Sequence, residues 1–207
     1  MKHSVIAALV FAALASVGSA LFAADLSPAI EQAAETKAVE LCSVCHGARG
    51  ISMSPEFPIL AAQQPSYIEL QLQAFKAKRR AEPDAHDYMW GIAGGLDDTL
   101  IKGIAAYFGK QPATQGRSGD PATVVRGKEL YEKGLPDRSV PACATCHGAD
   151  AKGMVDFPRL AGQHAKYVAK QIAFIQTLVR TAPVMHGIVK DLTPAEIDAV
   201  AAYVQSL

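Results

Sequence analysis

The sequence predicts an all-α protein built as two tandem domains, and three observations carry that expectation. A CxxCH motif occurs twice, at Cys42, Cys45 and His46 and again at Cys143, Cys146 and His147, and the two motifs use all four cysteines of the 207-residue chain. The stretches that follow each motif repeat one another in the same order. Apolar residues recur at helical spacing, and no stretch sustains the alternation of a strand.

The elements follow in order. Residues 1–24, "MKHSVIAALVFAALASVGSALFAA", have a basic start, an apolar run and small residues at their end. That is the form of a secretory signal peptide cleaved after Ala20 or Ala24, which predicts export to the periplasm. An uncleaved anchor is the alternative, since Ser4 to Ala24 is just long enough to span a bilayer. No later segment is comparably long and apolar. The formal net charge is zero, which removes the electrostatic case for nucleic-acid binding.

Past the leader, "PAIEQAAETKAVEL" predicts a helix before the first CxxCH, and "DPATVVRGKELYEKG" one before the second. After each motif comes a Phe-Pro turn, "FPILAAQQPSY" from Phe57 and "FPRLAGQHAKY" from Phe157, at an offset of 100 residues. Middle helices follow, with apolar stripes Ile68, Leu72, Phe75 and Val168, Ile172, Ile175, Val179. A loop then holds a methionine, Met89 in "MWGIAGGL" and Met185 in "MHGIVKDL", before a closing helix. The last helix opens "TPAE", with Thr193 as cap, Pro194 in the first turn and Glu196 three after the cap. A Gly/Pro/Ser/Thr-rich stretch separates the copies. The expected division is therefore 1–24 signal peptide, 25–112 first domain, 113–118 linker and 119–207 second domain.

Domains this small bury little core and often need a staple. A disulfide would suit an exported chain but leaves the repeated histidine unexplained. Zinc would accept two cysteines and a histidine, yet a structural site wants a fourth ligand nearby, and these pairs lie a hundred residues apart. Covalent haem c explains every residue: CxxCH is its attachment signature. Two cysteines one helical turn apart reach the two vinyl groups of one porphyrin, and the adjacent histidine sits under the iron. Gly47 and Gly148 let the chain turn away. The cofactors expected are two covalently bound haem c groups.

The sixth iron ligand must come from well beyond the histidine. Met53 and Met154 lie seven residues after it, too near to wrap round the haem edge, and read as flexible filler beside it. His86 has no counterpart in the second copy, His186 is matched by Trp90, and His164, matched by Gln64, reads as an exposed polar residue. Met89 and Met185 are shared, in the same loop context about 40 residues beyond the histidine. The axial pairs expected are thus His46 with Met89 and His147 with Met185. Filled on both sides, such an iron passes single electrons without binding substrate, and a thioether ligand raises its potential relative to two histidines.

This pattern resembles the cytochrome c4 family of di-haem, two-domain class I cytochromes c. The resemblance rests on both CxxCHG motifs, the FPxLAxQ turns, Tyr67 and Tyr167, and the methionine loops. It implies a periplasmic electron carrier with Cys42, Cys45, His46 and Met89 serving one haem and Cys143, Cys146, His147 and Met185 the other. It also implies two domains facing about a pseudo-twofold axis, with propionates near their interface. The implied partners are a quinol-oxidising cytochrome complex and a terminal oxidase, and peripheral membrane association is compatible with that role. The run Lys76, Lys78, Arg79, Arg80 reads first as a solvated helix end, with a docking patch or a propionate arginine as alternatives. The competing functions are an electron-accepting subunit of a dehydrogenase and a di-haem enzyme of peroxidase or thiosulfate dehydrogenase type. The insertion holding His86 is the feature that favours the enzyme.

Overall fold

A computed structural model describes residues 26–207; the expected leader lies outside these. Helix α1 (Pro28–Lys37) runs through a π turn, Ala38–Cys42, straight into α2 (Ser43–His46). Then come α3 (Pro65–Lys76), a second π turn at Ala85–Met89, α4 (Trp90–Gly94) and α5 (Asp98–Gly109). The second copy repeats the plan with α6 (Pro121–Lys133), α7 (Ala144–His147), α8 (Ala165–Gln176), α9 (Pro183–Val189) and α10 (Pro194–Gln205). Helices α1, α3, α6, α9 and α10 carry proline in the first turn, where its missing N–H costs nothing. The described residues contain no strand, only isolated bridges such as Arg80 to Arg180. The all-α expectation holds.

Each copy closes by crossing its first helix on its last, α1 on α5 and α6 on α10. Both crossings use a glycine against an alanine, with the roles exchanged. A Cβ on Gly103 of α5 would lie 2.5 Å from Ala34 Cβ, and one on Gly127 of α6 would lie 1.9 Å from the Ala199 carbonyl oxygen. Each copy thereby gains its own main apolar core, one around Ile68, Leu72, Ile101, Ile104 and Phe108, the other around Leu130, Val168, Ile172, Ile197 and Val204.

The expected capping box is present: Thr193 Oγ1 accepts from the Glu196 N–H, and the Glu196 carboxylate accepts from the Thr193 N–H. Two details differ from the sequence reading. Val179 lies beyond α8 and is 37% exposed, because the chain leaves the helix through Leu178 at φ 61°, as the first copy does through Lys78 at φ 55°. Met89 and Met185 are helical rather than in loops: Met89 ends the second π turn and Met185 sits in α9. Pro183 starts α9 early enough to include Met185.

Candidate functional site

The short helices α2 and α7 exist to aim one histidine each. Their C-terminal residues are His46 and His147, buried at 8% and 6% exposure. The glycines that follow turn the chain at φ 75° and 81°, a region closed to most side chains. At Gly47 space forbids one as well, since a Cβ would lie 2.1 Å from the Ile51 carbonyl oxygen.

Each histidine donates through Nδ1 to a proline carbonyl in the following Phe-Pro turn, His46 to Pro58 at 2.9 Å and His147 to Pro158 at 3.0 Å. A carbonyl can only accept, so the proton is fixed on Nδ1 and the Nε2 lone pair is left free, as a metal ligand requires. Burial lowers the pKa of both imidazoles, and the proline carbonyl offsets only part of that. They are neutral and ready to ligate. The Cys42 and Cys143 thiols are pushed up to about 11 by burial, so they too are neutral.

One continuous cavity of about 590 Å³ joins the two copies. Its lining includes Cys42, Cys45, His46 and Met89 from the first and Cys143, Cys146, His147 and Met185 from the second. Apolar walls surround them, among them Leu72, Phe75, Ile104, Val168 and Ile172. The other candidate ligands stay away from this space. Met53 and Met154, expected beside the haem, are 86% and 48% exposed instead; the turn after each CxxCHG carries them outward. His86 points to solvent and pairs with Asp87 at 2.7 Å. His186 donates to the Ile175 carbonyl at 2.9 Å.

His164 corrects the sequence reading outright. It is fully buried. Its Nδ1 accepts from Arg117 of the linker, and its Nε2 donates to the Ser52 carbonyl of the first copy at 3.1 Å. Burial first, then the Arg117 charge, holds its pKa below the ordinary value, so it serves as a neutral strut between the copies.

The basic run divides in three dimensions: Lys76, Lys78 and Arg79 are exposed, as a solvated helix end would be, and only Arg80 turns inward. Arg80 is 5% exposed and its Nε donates to Glu82 at 2.7 Å. The Gln71 and Gln171 side-chain oxygens each accept from both Arg80 and Arg180, at 2.7–3.1 Å. Arg180 further donates to the Tyr67 hydroxyl at 2.8 Å. All six residues are buried or half-buried where the copies meet, and Arg80, Glu82 and Arg180 line the cavity. Trp90 joins the same place, its indole N–H donating to the Arg80 carbonyl at 2.8 Å. Glu82 went unnoticed in the sequence because the second copy has Ala182 at the matching position; its Oε2 is buried with no hydrogen-bond partner among the described residues.

The donor set fits haem c. It offers two thiols one helical turn apart per copy, a neutral imidazole with Nε2 free, a thioether from a later helix, apolar walls, and a guanidinium-lined end suited to propionates. Among the described residues no group of three or more His, Cys, Asp and Glu side chains converges as a metal site, so zinc lacks its closed ligand set.

Fold and site together define a di-haem c-type cytochrome. A family model described as cytochrome c matches residues 124–207. Cytochrome c4 of Thiocapsa roseopersicina is 38% identical over 182 residues, covering 85% of this chain and 92% of the relative. The crystal structure of reduced cytochrome c4 from Pseudomonas stutzeri superposes with a TM-score of 0.77 at 35% identity, over 86% of this chain and 98% of that one. The thiosulfate dehydrogenase electron acceptor of Thiomonas intermedia is 31% identical, over 92% of this chain and 88% of the relative. The chain belongs to the cytochrome c4 family.

Proposed function

We propose that this protein is a periplasmic carrier that takes single electrons from a quinol-oxidising cytochrome complex and delivers them towards a terminal oxidase, performing no catalysis of its own. The observation that carries the reading is the shared cavity, to which both copies bring a CxxCH motif and a methionine. On this reading residues 25–112 and 119–207 are the two haem domains, and the leader is removed on export. Cys42 and Cys45 would hold one haem and Cys143 and Cys146 the other, with His46 and Met89, and His147 and Met185, as the residues offered to each iron.

When bound, each haem supplies an iron that alternates between ferric and ferrous, one electron at a time. The chain does the rest. Pro58 and Pro158 fix each imidazole tautomer. Met89 and Met185, which line the same cavity, would close the iron to water and substrate. The apolar walls would exclude water from the cofactor and leave it little room to rearrange on transfer. Arg80 and Arg180 offset the negative charge that propionates would bring to the junction.

A second reading has a specific support in the relative from Thiomonas intermedia, whose name makes it an electron acceptor for thiosulfate dehydrogenase. In that case the electrons arrive from a dehydrogenase and the same two haems receive them. Stopped-flow mixing decides between donors and tests the carrier role. The oxidised protein should be reduced by quinol-oxidising membranes, and the reduced protein reoxidised by oxidase-containing membranes. It should turn over neither peroxide nor thiosulfate alone. Turnover of either substrate, or rapid reduction only by a thiosulfate dehydrogenase, would contradict the proposal.

A further inference from the structure

The glutamine that ends each FPxLAxQ turn reaches across to the other copy and grips a single residue there. Gln163 accepts from the Ile59 N–H at 2.9 Å and donates to the Ile59 carbonyl at 3.0 Å. Gln63 does the same to Arg159, accepting from its N–H at 2.7 Å and donating to its carbonyl at 2.9 Å. Both glutamines are 6% exposed. Their oxygens are also steadied by the next backbone N–H in their own chain, Gln64 and His164 respectively.

The gripped N–H matters because of the peptide group to which it belongs. The carbonyl of Pro58 and the N–H of Ile59 are two ends of one peptide unit, and the carbonyl end accepts from His46 Nδ1. The chain of contacts is therefore His46 Nδ1–H to the Pro58 carbonyl, then the Ile59 N–H to Gln163. In the second copy it is His147 Nδ1–H to the Pro158 carbonyl, then the Arg159 N–H to Gln63. Hydrogen bonds in series polarise one another. An acceptor at the N–H end makes the carbonyl end a stronger acceptor, and a stronger acceptor on Nδ1 makes the imidazole a better donor to whatever Nε2 ligates.

We infer that Gln63 and Gln163 are crossed positioning residues, each tuning the iron held by the other copy. The inference rests on His46 and His147 being the proximal ligands. Removing the glutamine weakens the imidazole as an electron donor, which favours ferrous iron. At a fixed electrode potential the ferrous-to-ferric ratio of the affected haem should rise by up to about threefold, since only the part of a hydrogen bond's worth that is passed along the series reaches the iron. Loosened packing alone fixes no sign and would spread to both haems, whereas weaker donation through Nδ1 moves only the crossed haem, and towards ferrous iron.

The test compares Gln163→Met and Gln63→Met in the purified holoprotein. Spectroelectrochemical titration is combined with proton NMR of the ferric state, using the hyperfine-shifted Met89 and Met185 methyl signals to tell the haems apart. Gln163→Met should move the haem held by Cys42 and Cys45, and Gln63→Met the one held by Cys143 and Cys146. A shift in the haem of the altered copy, in both haems equally, or in neither would overturn the inference. If a methionine variant does not fold, Gln163→Asn and Gln63→Asn retract the same amide without apolar bulk and are judged by the same crossing. The wild-type spectrum separates the underlying assignment: without two methionine-ligated signals there, the ligand set fails before the glutamines are tested.

Discussion

The Arg80 guanidinium and the Glu82 carboxylate form an ion pair sealed from solvent, with Nε to Oε1 at 2.7 Å and Glu82 1% exposed. The second copy has Ala182 where the first has Glu82, so Glu82 is the carboxylate that meets Arg80. Removing one partner of a buried pair strands the other charge. Arg80→Leu should therefore destabilise the holoprotein by about 3–5 kcal/mol in chemical denaturation. Arg80→Leu combined with Glu82→Leu should recover most of that loss. A double variant no more stable than Arg80→Leu alone would show that Glu82 gains nothing from its neighbour.

Met185→Ala should open the second iron and leave the first closed. The ferric spectrum should lose one of two methionine-to-iron bands and gain a high-spin component of one haem. Retention of both bands would mean that another residue, or none from α9, completes that site.

Gly127→Ala should lower stability although alanine favours a helix by about 1 kcal/mol. The added Cβ would meet the Ala199 backbone carbonyl at 1.9 Å, and backbone cannot move aside as a flexible side chain can. A net loss of about 1–3 kcal/mol is expected. A gain in stability would show that α6 and α10 slide apart freely.

Glu196 caps α10 and pairs with Arg138 at 2.5 Å. The Arg138 hydrogen bond chiefly holds its carboxyl down to about 2 from an ordinary 4.5. A depressed folded-state pKa stabilises fully above the unfolded value, and the contribution fades as pH falls from about 4.5 towards 2. Glu196→Gln keeps the capping box but loses the ion pair, so it should cost about 0.5 kcal/mol at pH 7, with the gap closing across that acidic window. A gap unchanged at low pH would assign the effect to shape rather than charge.

Much of this was legible in the sequence because the chemistry dictates spacing. Thioether attachment sets the interval from Cys42 to Cys45, and a second copy at Cys143 made the duplication plain. The proline carbonyls under His46 and His147 were not legible, since a backbone acceptor leaves no side-chain signature. Nor was the crossing of Gln63 and Gln163, although their recurrence in both turns was the available signal. Arg80 alone departs from the solvated helix end that the run was first read as, and Arg180 at the matching position of the second copy was the available signal. His164 was misread because a polar residue in a turn gives no hint that the other copy will cover it.

The central claim is that both irons are closed by a histidine and a methionine from their own copy, which makes the protein a carrier. The near-infrared spectrum of the ferric protein, quantified per haem, tests it most directly. The account predicts a methionine-to-iron charge-transfer band equivalent to two haems and no high-spin signal. A band worth only one haem, or a high-spin component, would contradict it and place an open iron in one copy.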